Sequence, residues 1–320
     1  MSYKIHQIDY YLPAKILNND FLHNQVGIES DFLENKIGIK ERRVAGETES
    51  CTDMACAATS KLLDADHSLR EDIGLLVVCT QNPDYRLPTT ACLLQHRLGL
   101  SRHTMAFDVN LGCSGFVYCM ALAGACLNSG MAKKALLIMV DQYSRLIDQT
   151  DKNTVSLFGD AASAVIIGST NAGSGVIDMD FGTDGSGAFS LIAHNSGIVK
   201  NAEKSSYLYM NGREIFKFTI TVVPQSVIQI LERNSLRVSD IKAFVFHQAN
   251  KYMLKEIQKI MGIRDDQMVI DMELTGNTVS STIPIALGNL FKTQAFLPGD
   301  KIILCGFGVG LSWGTILYVF

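Results

Sequence analysis

The stretch Asp108-Val-Asn-Leu-Gly-Cys-Ser-Gly-Phe116 sets one cysteine, Cys113, between a loop and an apolar helix. The helix is predicted over about 114–127, where Phe116, Val117, Met120, Ala121, Gly124 and Leu127 make an apolar or small face and Asn128-Ser-Gly130 is a stop signal. A thiol at a helix start faces unpaired backbone N–H groups and the positive end of the helix dipole. Both favour the thiolate, which is the nucleophilic form. Gly112 and Gly115 place almost no bulk beside the sulfur and leave room for a substrate carbonyl. The same residues also suit a cysteine buried as a small hydrophobe.

Outward from this stretch, the residues at 104–109 form the strand that feeds Cys113. The runs 73–80 and 134–140 are almost continuously apolar, as strands buried on both faces of a parallel sheet are. Small residues at 53–63 predict a tightly packed helix, and another helix covers about 90–98. After Phe158-Gly-Asp160-Ala-Ala and its strand, a second set of elements repeats the first. It comprises a helix over 214–233, a strand over 241–246 ending at His247, a helix over 250–261 and a helix over 279–292 opened by Thr275-Gly-Asn-Thr278. The strand at 73–80 with Gln81-Asn82 is echoed by 241–246 with His247-Gln248, and the helix entered at Cys113 by the one entered near Asn277. The economical reading is an α/β fold of two duplicated halves with active residues where the halves meet. The break falls in the Asn/Gly/Ser/Thr-rich segment 169–175, giving 1–172 with the cysteine and 173–320 with the histidine and asparagine.

Composition narrows the function. The 320 residues are 47% hydrophobic and 19% charged, enough for a large core, and no uninterrupted apolar run reaches the length of a membrane span. A net charge of −4 gives no global attraction for nucleic acid or anionic lipid. The start of the chain lacks the layout of a signal peptide. Its eight cysteines are scattered without a CxxC pair or a Cys/His metal spacing, so the expectation is a cytoplasmic, metal-free chain with reduced thiols.

Cys113, His247 and Asn277 each stand at a strand–helix junction within distinctive surroundings. These are Asn-Leu-Gly-Cys113-Ser-Gly-Phe, Phe-His247-Gln-Ala-Asn250, Gly-Asn277-Thr-Val-Ser-Ser-Thr-Ile-Pro284, Phe158-Gly-Asp160-Ala-Ala and the ending Gly-Phe-Gly308-Val-Gly310-Leu-Ser-Trp313-Gly. Together, in this order, they resemble the 3-oxoacyl-acyl-carrier-protein synthase III family of the thiolase superfamily, over nearly the whole chain. The resemblance implies a five-layered αβαβα fold, a homodimer and ping-pong chemistry without a resident cofactor. Cys113 would take an acyl group from an acyl-coenzyme A or other acyl thioester. Malonyl-acyl-carrier protein would then lose carbon dioxide, and its carbanion would attack the acyl-cysteine. His247 Nε2–H and the Asn277 amide would stabilise the enolate oxygen as two neutral donors. Backbone N–H groups of Cys113 and of the Gly308-Val309 turn would hold the tetrahedral oxyanion. Asp160 reads as a structural turn residue, and Asn250 either meets the pantetheine arm or holds a helix start.

For substrate binding the resemblance implies Phe32, Lys36, Leu87, Lys152, Arg213, Phe216, Asn250 and Phe307. Several depart from the family pattern: Phe32 stands for a tryptophan that stacks on adenine, Lys152 and Lys36 for arginines, and Leu87 for an acyl-pocket phenylalanine. Tyr252 replaces a basic residue, and Val309 replaces the middle glycine of the C-terminal turn. Lysine lacks the planar guanidinium fork, so the departures bear on the primer and leave the three central residues untouched. Lys251, Lys255 and Lys259, spaced i, i+4, i+8, form one stripe opposite Leu254, Ile257 and Met261. That stripe suits docking of an acidic carrier protein, or is a solvated helix face. Rival functions are acyl transfer to an alcohol or amine without decarboxylation, and a non-catalytic partner subunit.

Overall fold

The apolar run at 73–80 forms the strand Ile73–Cys79, whose side chains divide by parity. Leu75, Val77 and Cys79 enter one hydrophobic cluster, while Leu76 and Val78 enter another on the opposite face. This computed structural model describes residues 2–170 and 173–320. The strand sits within a five-stranded sheet ordered Ser2–Tyr11, Ala161–Thr170, Lys134–Asp141, Ile73–Cys79, Met105–Val109. Its first two pairings are antiparallel and its last two parallel.

A second sheet is ordered Gly175–Thr183, Ser312–Val319, Lys301–Gly308, Ala243–Phe246, with two antiparallel pairings and then a parallel one. Strand for strand this repeats the first sheet. The fifth strand is reduced to an isolated bridge between Phe244 and Met268. The helices Gly115–Asn128 and Thr282–Thr293 each touch both sheets and form the middle layer. Cys51–Ala65 and Thr90–Arg97 cover the outer face of the first sheet, and Gly212–Arg233 covers the second, with Lys251–Met261 packed against it. The result is the five-layered αβαβα arrangement expected of a thiolase-like fold. The expected boundary at 172/173 lies at the edge of 171–172, outside the described residues.

One expectation is corrected. The helix predicted over 279–292 begins only at Thr282, because Val279–Ser281 is a separate tight turn entered with Val279 at φ 56°. The helix Gly212–Arg233 is long and apolar enough by composition to cross a membrane. Its apolar residues Phe218, Val223, Val227 and Ile230 are packed in the core.

Candidate functional site

Cys113 immediately precedes the Ser114 N-cap of the Gly115–Asn128 helix and is 6% exposed. The turn before it closes through the Gly115 N–H donating to the Gly112 carbonyl at 2.8 Å, and the Ser114 and Ser312 hydroxyls, 2.7 Å apart, tie it to the second half. The strand Lys301–Gly308 runs hard against this loop. A methyl added to Gly308 would lie 2.7 Å from Cys113 Cβ and 3.0 Å from its sulfur. Gly308 thus leaves room for the nucleophile itself. Gly112 and Gly115 differ from expectation too: the space beside them is taken by Gln81, Val309 and Cys79 side chains, not left for substrate.

His247 follows the strand Ala243–Phe246 and is 2% exposed, with its ring edge-on to Phe307 at 5.5 Å. Asn277 is 4% exposed and held by backbone on both sides, donating to Leu157 O at 2.9 Å and accepting from Gly159 N–H at 3.0 Å. Its side-chain oxygen accepts from Val279 N–H at 2.9 Å, which turns the amide nitrogen towards His247 Nε2, 3.5 Å away. The three residues therefore meet on one inner cavity of about 90 Å³, lined also by Leu157, Phe158, Met210, Ile215, Met253, Phe307 and Gly308.

The electrostatics correct the expected thiolate. Burial pushes the Cys113 thiol up to about 12, and the carboxylate of Asp141 pushes the same way, against the N–H groups of Val309 and Cys113. A helix terminus supplies at most about 2 kcal/mol, while a rise from 9 to about 12 corresponds to roughly 4 kcal/mol. Burial wins, and the resting group is a thiol. Burial likewise pushes His247 down to about 3, so its imidazole is neutral. Asp141 is itself raised to about 7 by burial, although it accepts from Gln81 N–H and the Ser280 hydroxyl.

An outer cleft of about 840 Å³ adjoins the inner cavity across Leu157, Met210, Gly212 and Asn250. Phe32, Lys152 and Arg213, assigned to substrate binding from the sequence, line it. Asn250 caps the Lys251–Met261 helix, accepting from Met253 N–H at 2.8 Å, and also stands on the wall shared by the two cavities. Four assignments move. Phe216 stacks on Tyr252 at 5.5 Å and Lys36 Nζ lies 5.3 Å over the same ring, so neither lines either cavity. Leu87 is 83% exposed on its loop and lines neither. Lys255 is paired with Asp265 at 2.9 Å, so the stripe with Lys251 and Lys259 is partly neutralised; Lys251 faces a small recess in which Glu273 is already paired with Lys40 at 2.7 Å. Among the described residues no group of three or more His, Cys, Asp or Glu side chains is placed to hold a metal ion.

Comparison with known proteins places this geometry. The family model described as 3-oxoacyl-[acyl-carrier-protein] synthase III matches residues 107–185, and the model of its C-terminal part matches 231–320. A β-ketoacyl-[acyl-carrier-protein] synthase III of Sulfurimonas denitrificans is 36% identical over 98% of this chain and 96% of its own. The chain belongs to the 3-oxoacyl-acyl-carrier-protein synthase III family. A crystal structure of a 3-oxoacyl-(acyl-carrier-protein) synthase III superposes with a TM-score of 0.96 at 37% identity, with all of both chains covered. The priming β-ketosynthase of the R1128 polyketide pathway also superposes, with a TM-score of 0.92 at 27% identity over all of this chain and 96% of its own.

Three residues of this synthase III chain that shape the site were not singled out from sequence. Val279 is a β-branched residue in the left-handed region, and its N–H fixes the Asn277 amide. Thr282 touches the far nitrogen of His247 at 2.8 Å. Arg42, fully buried, donates to Ser156 O and to Asn19 Oδ1 and braces the segment beneath Asn277. Only Val279 and Thr282 carried a signal, lying inside the Asn277 motif. Asp160 accepts from Ala45 N–H, Ser144 N–H and the Ser144 hydroxyl, as a turn residue does.

Proposed function

We propose that this chain is a 3-oxoacyl-acyl-carrier-protein synthase III that joins an acyl primer to malonyl-acyl-carrier protein with loss of carbon dioxide. The observation that carries the reading is the convergence of a buried thiol, a neutral imidazole and an oriented carboxamide on one small cavity beside a large cleft.

In the first half-reaction the Cys113 sulfur attacks the thioester carbonyl, its proton passes to the leaving thiolate, and an acyl-cysteine forms. The N–H groups of Val309 and Cys113, already aimed at the sulfur, serve the negative charge that develops there and on the oxyanion. In the second, malonyl thioester loses carbon dioxide, and its enolate oxygen is held by His247 Nε2–H and Asn277 Nδ2–H. Both donors are neutral, so neither needs a counter-ion in this buried cavity. The enolate carbon then attacks the acyl-cysteine, the C–S bond breaks, and Cys113 leaves as a thiolate that takes up a proton from solvent before the next turnover.

Phe32, Lys152 and Arg213 receive the nucleotide or pantetheine end of a thioester, and Asn250 guides the arm inward. Phe307 supports His247 and closes the acyl end. The Lys251, Lys255 and Lys259 face receives an acidic carrier protein despite the local carboxylates. The enzyme works in the cytoplasm as a homodimer, with halves 1–172 and 173–320; its eight unpaired cysteines and the single-sided edge strand Met105–Val109 support this. Incubation with an acyl thioester panel and malonyl-acyl-carrier protein should yield 3-oxoacyl product and carbon dioxide together. Transfer to an alcohol or amine with no carbon dioxide would overturn the proposal.

A further inference from the structure

The Nδ1 side of His247 faces two groups: the Val279 carbonyl, a backbone acceptor that works against the effect of burial on the ring, and the Thr282 hydroxyl. The Thr282 hydroxyl oxygen lies 2.8 Å from Nδ1 and 3.0 Å from the Val279 carbonyl, so its one hydrogen has two possible acceptors. The choice decides which ring nitrogen carries the proton. If the hydroxyl donates to Val279, the ring proton sits on Nδ1 and Nε2 presents a lone pair to the cavity. If it donates to Nδ1, Nε2 carries the proton.

Three observations favour the second arrangement. The Val279 carbonyl already accepts the Thr282 backbone N–H, so it does not require the hydroxyl. Asn277 Oδ1 is occupied by Val279 N–H, so the amide must present Nδ2 to the ring. The Nδ2–Nε2 separation of 3.5 Å exceeds an ordinary N–H hydrogen bond and suits two donors that converge without bonding. The imidazole is also neutral, so it has a single N–H to place.

We propose that Thr282 is a positioning residue whose hydroxyl donates to His247 Nδ1, holding the ring proton on Nε2 beside the Asn277 amide. The inference rests on the proposed decarboxylating function, and it goes further by naming the group that makes His247 a donor there. In this arrangement Val279 and Thr282 work together: the Val279 N–H aims the amide and the Thr282 hydroxyl sets the imidazole.

Two measurements test it. Thr282→Val removes the hydroxyl at similar volume, and Thr282→Ser keeps it. The valine variant should lose about 10- to 100-fold in kcat for carbon dioxide release, a share of what removing one oxyanion donor costs. Its KM for malonyl thioester should stay within about 2-fold, as should the rate of Cys113 acylation. The serine variant should recover to within about 3-fold of the unsubstituted enzyme. Unchanged decarboxylation in Thr282→Val would overturn the assignment. Independently, 15N spectra of the resting, histidine-labelled enzyme should show His247 protonated at Nε2 and bare at Nδ1, the resonance being assigned by its loss in His247→Gln. A proton on Nδ1 would overturn it. That spectrum needs neither substrate nor turnover. An enzyme releasing no carbon dioxide would therefore remove the proposed function, while the spectrum still decides the role of Thr282.

Discussion

Gly308→Ala isolates the closest approach in the site. The added methyl would stand 2.7 Å from Cys113 Cβ and 3.0 Å from the sulfur. Carbon atoms settle at about 3.5–4.0 Å, so one of the two must retreat by about 0.8 Å or more. Gly308 ends its strand paired with Ser312 of the neighbouring strand, while Cys113 sits on a loop end, so the sulfur moves. A misplacement of about 1 Å costs on the order of 100-fold in a reaction that depends on aligned atoms. The φ of 155° and the crowding should also cost stability, about 1–3 kcal/mol each. The assay is the rate of acyl adduct formation on Cys113 by intact-protein mass spectrometry, with denaturant midpoints measured in parallel. Gly299→Ala is the control, since its φ of 92° is also positive but nothing lies within 4 Å of the added methyl; it should lose stability and keep the acylation rate. A folded Gly308→Ala enzyme that acylates at the normal rate would refute the reasoning.

Three further outcomes are expected. Asn277→Ala should lower carbon dioxide release by about 100- to 1,000-fold while leaving acylation within a few-fold; equal losses in both steps would place Asn277 elsewhere in the reaction. Asp141→Asn should speed alkylation of Cys113 by iodoacetamide, since the carboxylate raises the thiol. The native state holds the Asp141 proton up to about pH 7 and the unfolded chain only to about 4, so stability falls as pH rises through that window, by up to roughly 4 kcal/mol. The variant should flatten the fall, and identical denaturation profiles from pH 4 to 7 would contradict this. Lys255→Glu, which sets a second carboxylate beside Asp265, should raise KM for carrier-bound malonate several-fold at low salt and leave malonyl-coenzyme A unaffected; equal effects on both would remove the stripe from docking.

What the sequence made legible is what short-range pattern encodes. The strands Ile73–Cys79 and Lys134–Asp141 announce themselves because both faces are buried, so every position is apolar. Cys113, His247 and Asn277 were legible as a group because the short motifs around them, in this order, resemble those of one family. The state of the thiol was not legible. A helix start is visible in sequence, but the burial that outweighs it comes from Gly308 and its strand some 200 residues away. Lys255 looked free because its partner Asp265 lies beyond the end of its helix. Phe216 and Lys36 were drawn off by Tyr252, whose ring both of them contact. Helical periodicity at Val279 hid a left-handed backbone, because a β-branched residue gives no local signal for that conformation.

The most direct measurement is a single turnover. Enzyme acylated on Cys113 and freed of excess primer is mixed with malonyl-acyl-carrier protein labelled in the free carboxyl group. Loss of the adduct, release of label and appearance of 3-oxoacyl product should proceed together, one of each per acyl-enzyme. An adduct that persists, or that leaves without release of carbon dioxide, would contradict the joining of thiol, imidazole and carboxamide in one condensing site.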